Sequence, residues 1–472
     1  MSDDILKLSA TELSCAVRER RLGALEVLKA YIKRAEKNKY NSFITICSEE
    51  AEMTASRIDC MSKSELVNLP LAGIPISIKD NICTKGIKTT CASRMLENFI
   101  PSYSASVYEK ILAAGAVPIG KTNMDEFAIG ADGTTSAFGM TLNPHDTERS
   151  PGGSSSGSAA SVAAGEALLS LGSDTGGSAR LPAAFCGVSA LKPTYGSVSR
   201  FGLTGLAPSL EQICPISRDI RDCALLYSVI CGKDERDMTT LYSQGKKYGV
   251  SDTETLKGMR IGSIPGLGCD KRLFALLEES GANVSETRLP MIDTIPEIYY
   301  AISSAEASST LARYDGLRYG FSSAMGTVEG TRNEGFGTKV KERLAQGAYV
   351  LTYDNGKIYV SALEVQRRLR KNTDYLFEKF DIILTPVSDI TAPSLNDTRR
   401  IGEDTTGSDK FTAYANLTGI PAVVIPSGDK NKLPVGIQLT AKHGEEEKLC
   451  RTAYALERIF KTHQNNIMST DV

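Results

Sequence analysis

Residues 171–196 read LGSDTGGSARLPAAFCGVSALKPTYG, and residues 150–170 in front of them read SPGGSSSGSAASVAAGEALLS. Between Arg149 and Arg180 only Glu166 and Asp174 carry charge, while Gly, Ser and Ala dominate. A flexible Gly/Ser linker has such a composition. It has no apolar face of helix length, however, and SAASVAAGEALLSLG (158–172) has one and turns straight into SDTGGSAR. Small residues in this setting let backbone segments approach one another or a ligand closely. In Asp174-Thr175-Gly176-Gly177-Ser178 the two glycines permit unusual dihedrals, so that successive N–H groups converge on one point. That is the chemistry of an oxyanion hole, with a serine at its end able to attack a carbonyl.

The flanking sequence alternates. LAGIPISIKD (71–80) reads as a buried strand ending at Lys79-Asp80, SYSASVYEKILAAG (102–115) as a helix stopped by Gly115, and AVPIG (116–120) as another strand. Upstream, Ser9-Ala10-Thr11-Glu12 forms a capping box. Residues 23–38 place Leu25, Leu28, Ile32 and Ala35 on one helical face. Downstream, 258–290 reads strand, helix, strand. FDIILTP (380–386), GIPAVVIPSG (419–428) and PVGIQLT (434–440) read as late strands before the helix EEEKLCRTAYALERIF (445–460). The alternation predicts an α/β fold with helices on both sides of a sheet.

Composition narrows the function. The 472 residues carry 54 Lys+Arg against 56 Asp+Glu, a net charge of −2, with 41% hydrophobic residues and no tryptophan. Length alone suggests two or three domains, or one large α/β unit. Near-neutral charge excludes a chain that grips nucleic acid by its own surface, since phosphates are neutralised by Lys and Arg. No run of about 18 apolar residues predicts a membrane span. The acidic N-terminus lacks a secretory pattern, and eleven scattered cysteines without a CxxC pair predict reduced thiols in the cytoplasm. His145, His443 and His463 are the only imidazoles, which excludes a histidine-rich metal site.

Two motifs match patterns whose context fails. GAVPIGKT (115–122) satisfies the phosphate-loop formula, but a helix precedes Gly115 and a strand lies inside the supposed loop, so the order is reversed. Gly153-Ser154-Ser155-Ser156-Gly157 matches the nucleophile elbow through Ser155, yet polar NPHDTERSPG precedes it, and His443 and His463 lie in charged sequence. A nucleophilic serine here needs another base, and lysine is the economical choice. Its pKa must fall from near 10.4 to about 7, a change worth about 4 kcal/mol that burial can supply. Lys79 follows a strongly apolar strand, which supports burial. Adjacent Asp80 would oppose the shift if it faced the amine, and a solvated strand end is the alternative reading.

ISIKD with Lys79, PGGSSSGSAA with Ser154, and LGSDTGGSARLPAAFCGVSALKPTYG with Ser178 together resemble the amidase signature family. More narrowly, KTNMDEFAIG (121–130), EASSTLARYDGLRYG (306–320), NEGFGTKVKERLAQG (333–347) and ANLTGIPA (415–422) are similar to its glutamine-hydrolysing branch, the A subunits of Glu-tRNA(Gln) amidotransferases. The resemblance runs over nearly the whole chain. It implies a single domain, 1–472, around a large mixed sheet covered by helices on both sides: a helical lead-in (1–65), a core (71–210) and the remainder of the sheet, pocket and C-terminal helix (211–472).

The resemblance further implies a Ser–cis-Ser–Lys site. Ser178 is the nucleophile, Ser154 after a cis peptide relays its proton, and neutral Lys79 is the terminal base. The N–H groups of Thr175, Gly176, Gly177 and Ser178 hold the oxyanion. Arg343 pairs with the glutamine carboxylate and Asp409 with its ammonium, while Tyr300 contacts the substrate. By the same resemblance the chain holds no cofactor or metal. Binding of tRNA and use of ATP and Mg²⁺ fall to a partner, the B subunit, and the two are bridged by the small C subunit. The assembly is a carbon–nitrogen ligase supplied with ammonia from glutamine. Four positions depart from the pattern: Ser156 and Ala179 stand where the family has Gly and Ile, Leu181 and Pro208 where the branch has Gln and Ser. A stand-alone amidase and an inactive scaffold are the alternatives, the intact Lys79, Ser154 and Ser178 opposing the second.

Overall fold

The computed structural model describes residues 2–240, 249–397 and 409–470. Within them eleven strands form one sheet. They are β1 (Phe43–Ile46), β2 (Pro75–Lys79), β3 (Val117–Thr122), β4 (Leu169–Asp174), β5 (Ser189–Lys192), β6 (Gln212–Ser217), β7 (Arg260–Ser263), β8 (Asn283–Glu286), β9 (Ile382–Pro386), β10 (Ala422–Lys430) and β11 (Leu433–Ala441). Their order is β1-β3-β2-β4-β6-β5-β10-β11-β9-β7-β8. Pairs β3–β2–β4 and β9–β7–β8 are parallel and the rest antiparallel, so the sheet is mixed. β10 joins the two halves by pairing with β5, Ala422 opposite Lys192.

Both faces are covered. Along β9, Ile382 and Leu384 enter one apolar cluster, with Leu28, Ile78 and Tyr227, while Ile383 enters the other, with Phe127, Ile302 and Leu369. This is the two-residue alternation of a strand with helices on each side. β2 and β4 are buried at every position, which explains their small or apolar residues up to the terminal Lys79 and Asp174.

The capping box forms as read, Ser9 accepting from the Glu12 N–H and Glu12 reaching back to the Ser9 N–H. One expected helix is shorter. The helix that begins at Ser156 ends at Ala163 and does not continue through 158–172, because Gly165 turns the chain at φ +65 and LSLGSD (169–174) becomes β4. β1, β5 and β6 and the helices Ile295–Thr310 and Lys357–Lys379 were not separately predicted from the sequence. No helix among the described residues is long and apolar enough to cross a membrane.

Candidate active site

Lys79 ends β2 and Asp174 ends its parallel neighbour β4, so both lie at the carboxyl edge where α/β sheets place ligands. Lys79 is fully buried. Its Nζ lies 2.8 Å from Ser154 Oγ, 2.8 Å from Ser155 Oγ and 2.9 Å from Ser173 Oγ, with the Ser173 carbonyl at 3.3 Å. Burial brings its pKa down to about 7 against the opposing pull of the Asp125 and Asp174 carboxylates. Asp80 faces away, its carboxylate held by Lys121 Nζ at 3.3 Å, by the Thr90 N–H at 2.8 Å and by the Thr90 hydroxyl. Among the described residues no carboxylate ion-pairs with Lys79.

An amine ringed by hydroxyls and titrating near neutrality is a base that works only once deprotonated. With Lys79 as the expected base, kcat/KM should fall about tenfold per pH unit below about 7 and level off above it. A profile flat from about pH 5.5 to 8.5 would remove Lys79 from the role of base.

The Gly153–Ser154 peptide is cis. Ser154 and Ser178 are adjacent, since the Ser155 N–H donates to the Ser178 carbonyl at 2.8 Å. Their hydroxyls make no hydrogen bond to one another among the described contacts. The Ser178 side chain lines a cavity of about 730 Å³ instead.

The glycine loop is ordered from behind by a carboxylate. Asp174 accepts from the Gly177 and Ala179 N–H groups at 2.9 and 3.1 Å and forms a buried two-armed pair with Arg180, at 2.8 and 3.0 Å. Burial alone would raise this carboxyl, but the Arg180 charge and hydrogen bonds hold it well below the usual carboxylate range. Gly177 N–H is thus occupied, which corrects the four-donor oxyanion set. The N–H groups of Thr175, Gly176 and Ser178 have no acceptor among the described residues and remain available.

The two glycines also serve different ends. Gly177 has φ +130, a conformation other residues avoid. Gly176 has no positive φ, but a Cβ there would lie 2.5 Å from the Tyr299 hydroxyl.

The cavity collects the remaining candidates. Arg343, Asp409 and Tyr300 all line it with Ser178. Arg343 lies on the helix Thr338–Thr352, bonds Ser303 Oγ at 3.1 Å and stacks 4.6 Å from the centre of the Tyr300 ring. Asp409 precedes the helix Lys410–Thr418, whose Thr412 hydroxyl donates to the Gly176 carbonyl at 2.7 Å. The Asp409 side chain makes no cap bond to that helix. Leu181, Leu206, Val350 and Ile358 supply apolar wall. Of the departures, only Leu181 lines the cavity. Pro208 is occupied elsewhere, its carbonyl accepting from Tyr195 and Arg200.

Tyr299, Ser173, the contact of Ser155 with Lys79 and the Asp174–Arg180 pair escaped sequence reading. The pair left one signal, as two of the few charges in an otherwise neutral run. The rejected motifs stay rejected. Lys121 of GAVPIGKT lies inside β3, buried against Asp80, and Ser155 contacts Lys79 rather than a histidine. His145 bonds the Cys186 carbonyl, and the His463 side chain lies outside the described residues. Among the described residues no group of three or more His, Cys, Asp or Glu could hold a metal ion.

A family model described as Amidase matches residues 26–450. The chain belongs to the amidase family. It is 45% identical to the A subunit of the glutamyl-tRNA(Gln) amidotransferase of Desulforamulus reducens, over 96% of this chain and 98% of that one. Among solved structures, the A subunit of the glutamyl-tRNA(Gln) amidotransferase of Thermotoga maritima matches with TM-score 0.77 and 36% identity, over 96% of this amidase chain and 95% of that one. The peptide amidase of Stenotrophomonas maltophilia matches with TM-score 0.82 and 26% identity, over 96% and 97%. The mixed sheet clad by helices is the architecture of these amidases.

Proposed function

We propose that this amidase is the glutamine-hydrolysing subunit of a Glu-tRNA(Gln) amidotransferase. The observation that carries the reading is one cavity holding Ser178 together with a cation, Arg343, and an anion, Asp409. A zwitterionic amino acid with a side-chain amide needs those three elements. The 45% identity to a relative bearing that subunit name supports the choice of glutamine over other amides.

In the mechanism, Ser178 Oγ attacks the side-chain carbonyl carbon while its proton passes through Ser154 to Lys79. A rotation of Ser178 about χ1 toward Ser154 is the movement this relay requires. The oxyanion is received by the N–H groups of Thr175, Gly176 and Ser178. As the intermediate collapses, the C–N bond breaks and ammonia leaves with a proton returned by the relay. Water, deprotonated by the same relay, then hydrolyses the glutamyl ester. The ammonia would go to a partner, the B subunit, which holds tRNA and uses ATP and Mg²⁺; a small C subunit would lie between them. A cytoplasmic location belongs to the same reading.

The test is to assay the chain with and without candidate B and C subunits, following ammonia from glutamine and amidation of Glu-tRNA(Gln). Glutamine-dependent amidation only in the full assembly is the expected result. Ammonia production that never couples to tRNA would favour a stand-alone amidase, for which Leu181 in the cavity wall is the one specific observation.

A further inference from the structure

The strand β3 leads into a segment, Asn123-Met124-Asp125-Glu126-Phe127-Ala128, that the mechanism leaves unused. Its two carboxylates are buried and point to different places. Asp125 lies against the relay serine. Its N–H donates to the Ser154 carbonyl at 3.2 Å, and its Oδ2 sits so close to Gly153 that a Cβ there would come within 1.9 Å. The same carboxylate accepts from the Gly133 and Thr135 N–H groups, at 3.1 and 3.2 Å, and so ties down the loop 130–135 that walls the cavity.

Glu126 turns the other way. One oxygen accepts from Ser93 Oγ, and the other accepts the Gly337 N–H at 2.9 Å. Gly337 is the N-cap of the helix Thr338–Thr352, the helix that carries Arg343, and a glycine has no side chain with which to cap it. A helix start leaves N–H groups unsatisfied and favours a negative charge beside them. Glu126 therefore supplies, from 211 residues away in the same chain, the acceptor for the N-cap N–H that the Glu or Gln of a capping box would otherwise give. The neighbouring backbone is held in an unusual form: Phe127 and Ala128 have φ of +49 and +61, facing Cys91 and Ala92 at +52 and +53, with the Phe127 N–H bonded to the Cys91 carbonyl. Side chains other than glycine adopt this region only when their surroundings impose it.

We infer that Asp125 and Glu126 are positioning residues that join the two halves of the site, Glu126 fixing the helix that presents Arg343 and Asp125 fixing the peptide that presents Ser154. The inference rests on the glutaminase reading of the cavity. Adjacent residues should then have opposite kinetic signatures. Glu126→Ala should raise KM for glutamine by roughly ten- to hundredfold with kcat little changed, the size of effect a small misplacement of a binding group produces. Asp125→Asn turns one of the two oxygens that receive the Gly133 and Thr135 N–H groups into a donor and should lower kcat with KM little changed; an unchanged kcat would overturn the role of Asp125.

Both are measured in the full chain assembled with its partner subunits, beside Glu126→Gln, Arg343→Ala and the double variant Glu126→Ala/Arg343→Ala. Glu126→Gln keeps an oxygen for the Gly337 N–H and should retain near-normal KM. The double variant should be no worse than Arg343→Ala, because the two act as one unit. Should Glu126→Ala fail to fold, Gly337→Pro suits the observed φ of −69, removes the same N–H and, with a Cβ 2.4 Å from Glu126 Oε2, displaces that carboxylate from the helix start, and should raise KM likewise. Additive effects, or kcat and KM changing together in Glu126→Ala, would overturn the brace. An unchanged KM in Arg343→Ala would overturn the glutamine reading itself, whereas a raised KM there with none in Glu126→Ala rejects the brace alone.

Discussion

Ser178→Ala should abolish glutamine hydrolysis, with a loss of at least about 10³-fold and no covalent glutamyl intermediate. Removing the attacking oxygen leaves the oxyanion donors and the pocket charges in place, and in hydrolases of similar logic those alone retain only a residual rate of about 10³ over water. Glutamine should still bind, because Arg343 and Asp409 are untouched and Ser178 is a small part of the cavity wall. The expected signature is therefore lost turnover with glutamine affinity near normal, measured by ammonia release and by titration of the variant. Full activity in Ser178→Ala would remove the nucleophile assignment. A dependence on Ser155 together with His443 in its place would restore the elbow reading.

Arg180→Met should destabilise the protein by about 3–5 kcal/mol, the usual cost of stranding one partner of a buried ion pair. Arg180 and Asp174 are both fully buried, and the guanidinium also reaches Gln438 Oε1 at 2.5 Å and Asn416 Oδ1 at 2.7 Å. The pair thereby ties the loop after β4 to strand β11 and to the helix Lys410–Thr418. Against a typical stability of about 5–15 kcal/mol the loss is large. It should appear as a lowered urea midpoint at unchanged slope. Activity should fall as well, since Asp174 orients Gly177 and Ala179 on either side of Ser178. A change below about 1 kcal/mol would mean that the pair is dispensable for folding.

How much was legible in advance follows from how each feature is encoded. Strands β2 and β3 could be read because burial on both faces leaves short apolar runs next to glycines. The helix 158–172 was overread, since a buried strand of small and apolar residues looks like a continuing helical face until Gly165 is given its φ. Ser178 stood out through the glycine loop in the charge-poor run and Lys79 through the apolar strand before it, whereas Ser154 was singled out only by the family resemblance. The direction of Asp80 could not be read. Whether that carboxylate met Lys79 or Lys121 depended on the pleat, and β3 lies on the far side of β2 from β4.

By itself, then, the sequence determined the elements that depend on neighbours along the chain. These were the α/β alternation, the capping box at Ser9, the glycine loop before Ser178, and a shortage of histidine that left lysine as base. Only the tertiary structure decided what depends on distant segments meeting. It turned Asp80 away so that burial could lower Lys79, set Asp174 on the Gly177 N–H and so left three of the four loop N–H groups without an acceptor among the described residues, and brought Arg343 and Asp409 to one cavity. The physical reason is that a side chain's charge state and reach are set by the groups packed around it, and those groups come from strands and helices far apart in the chain.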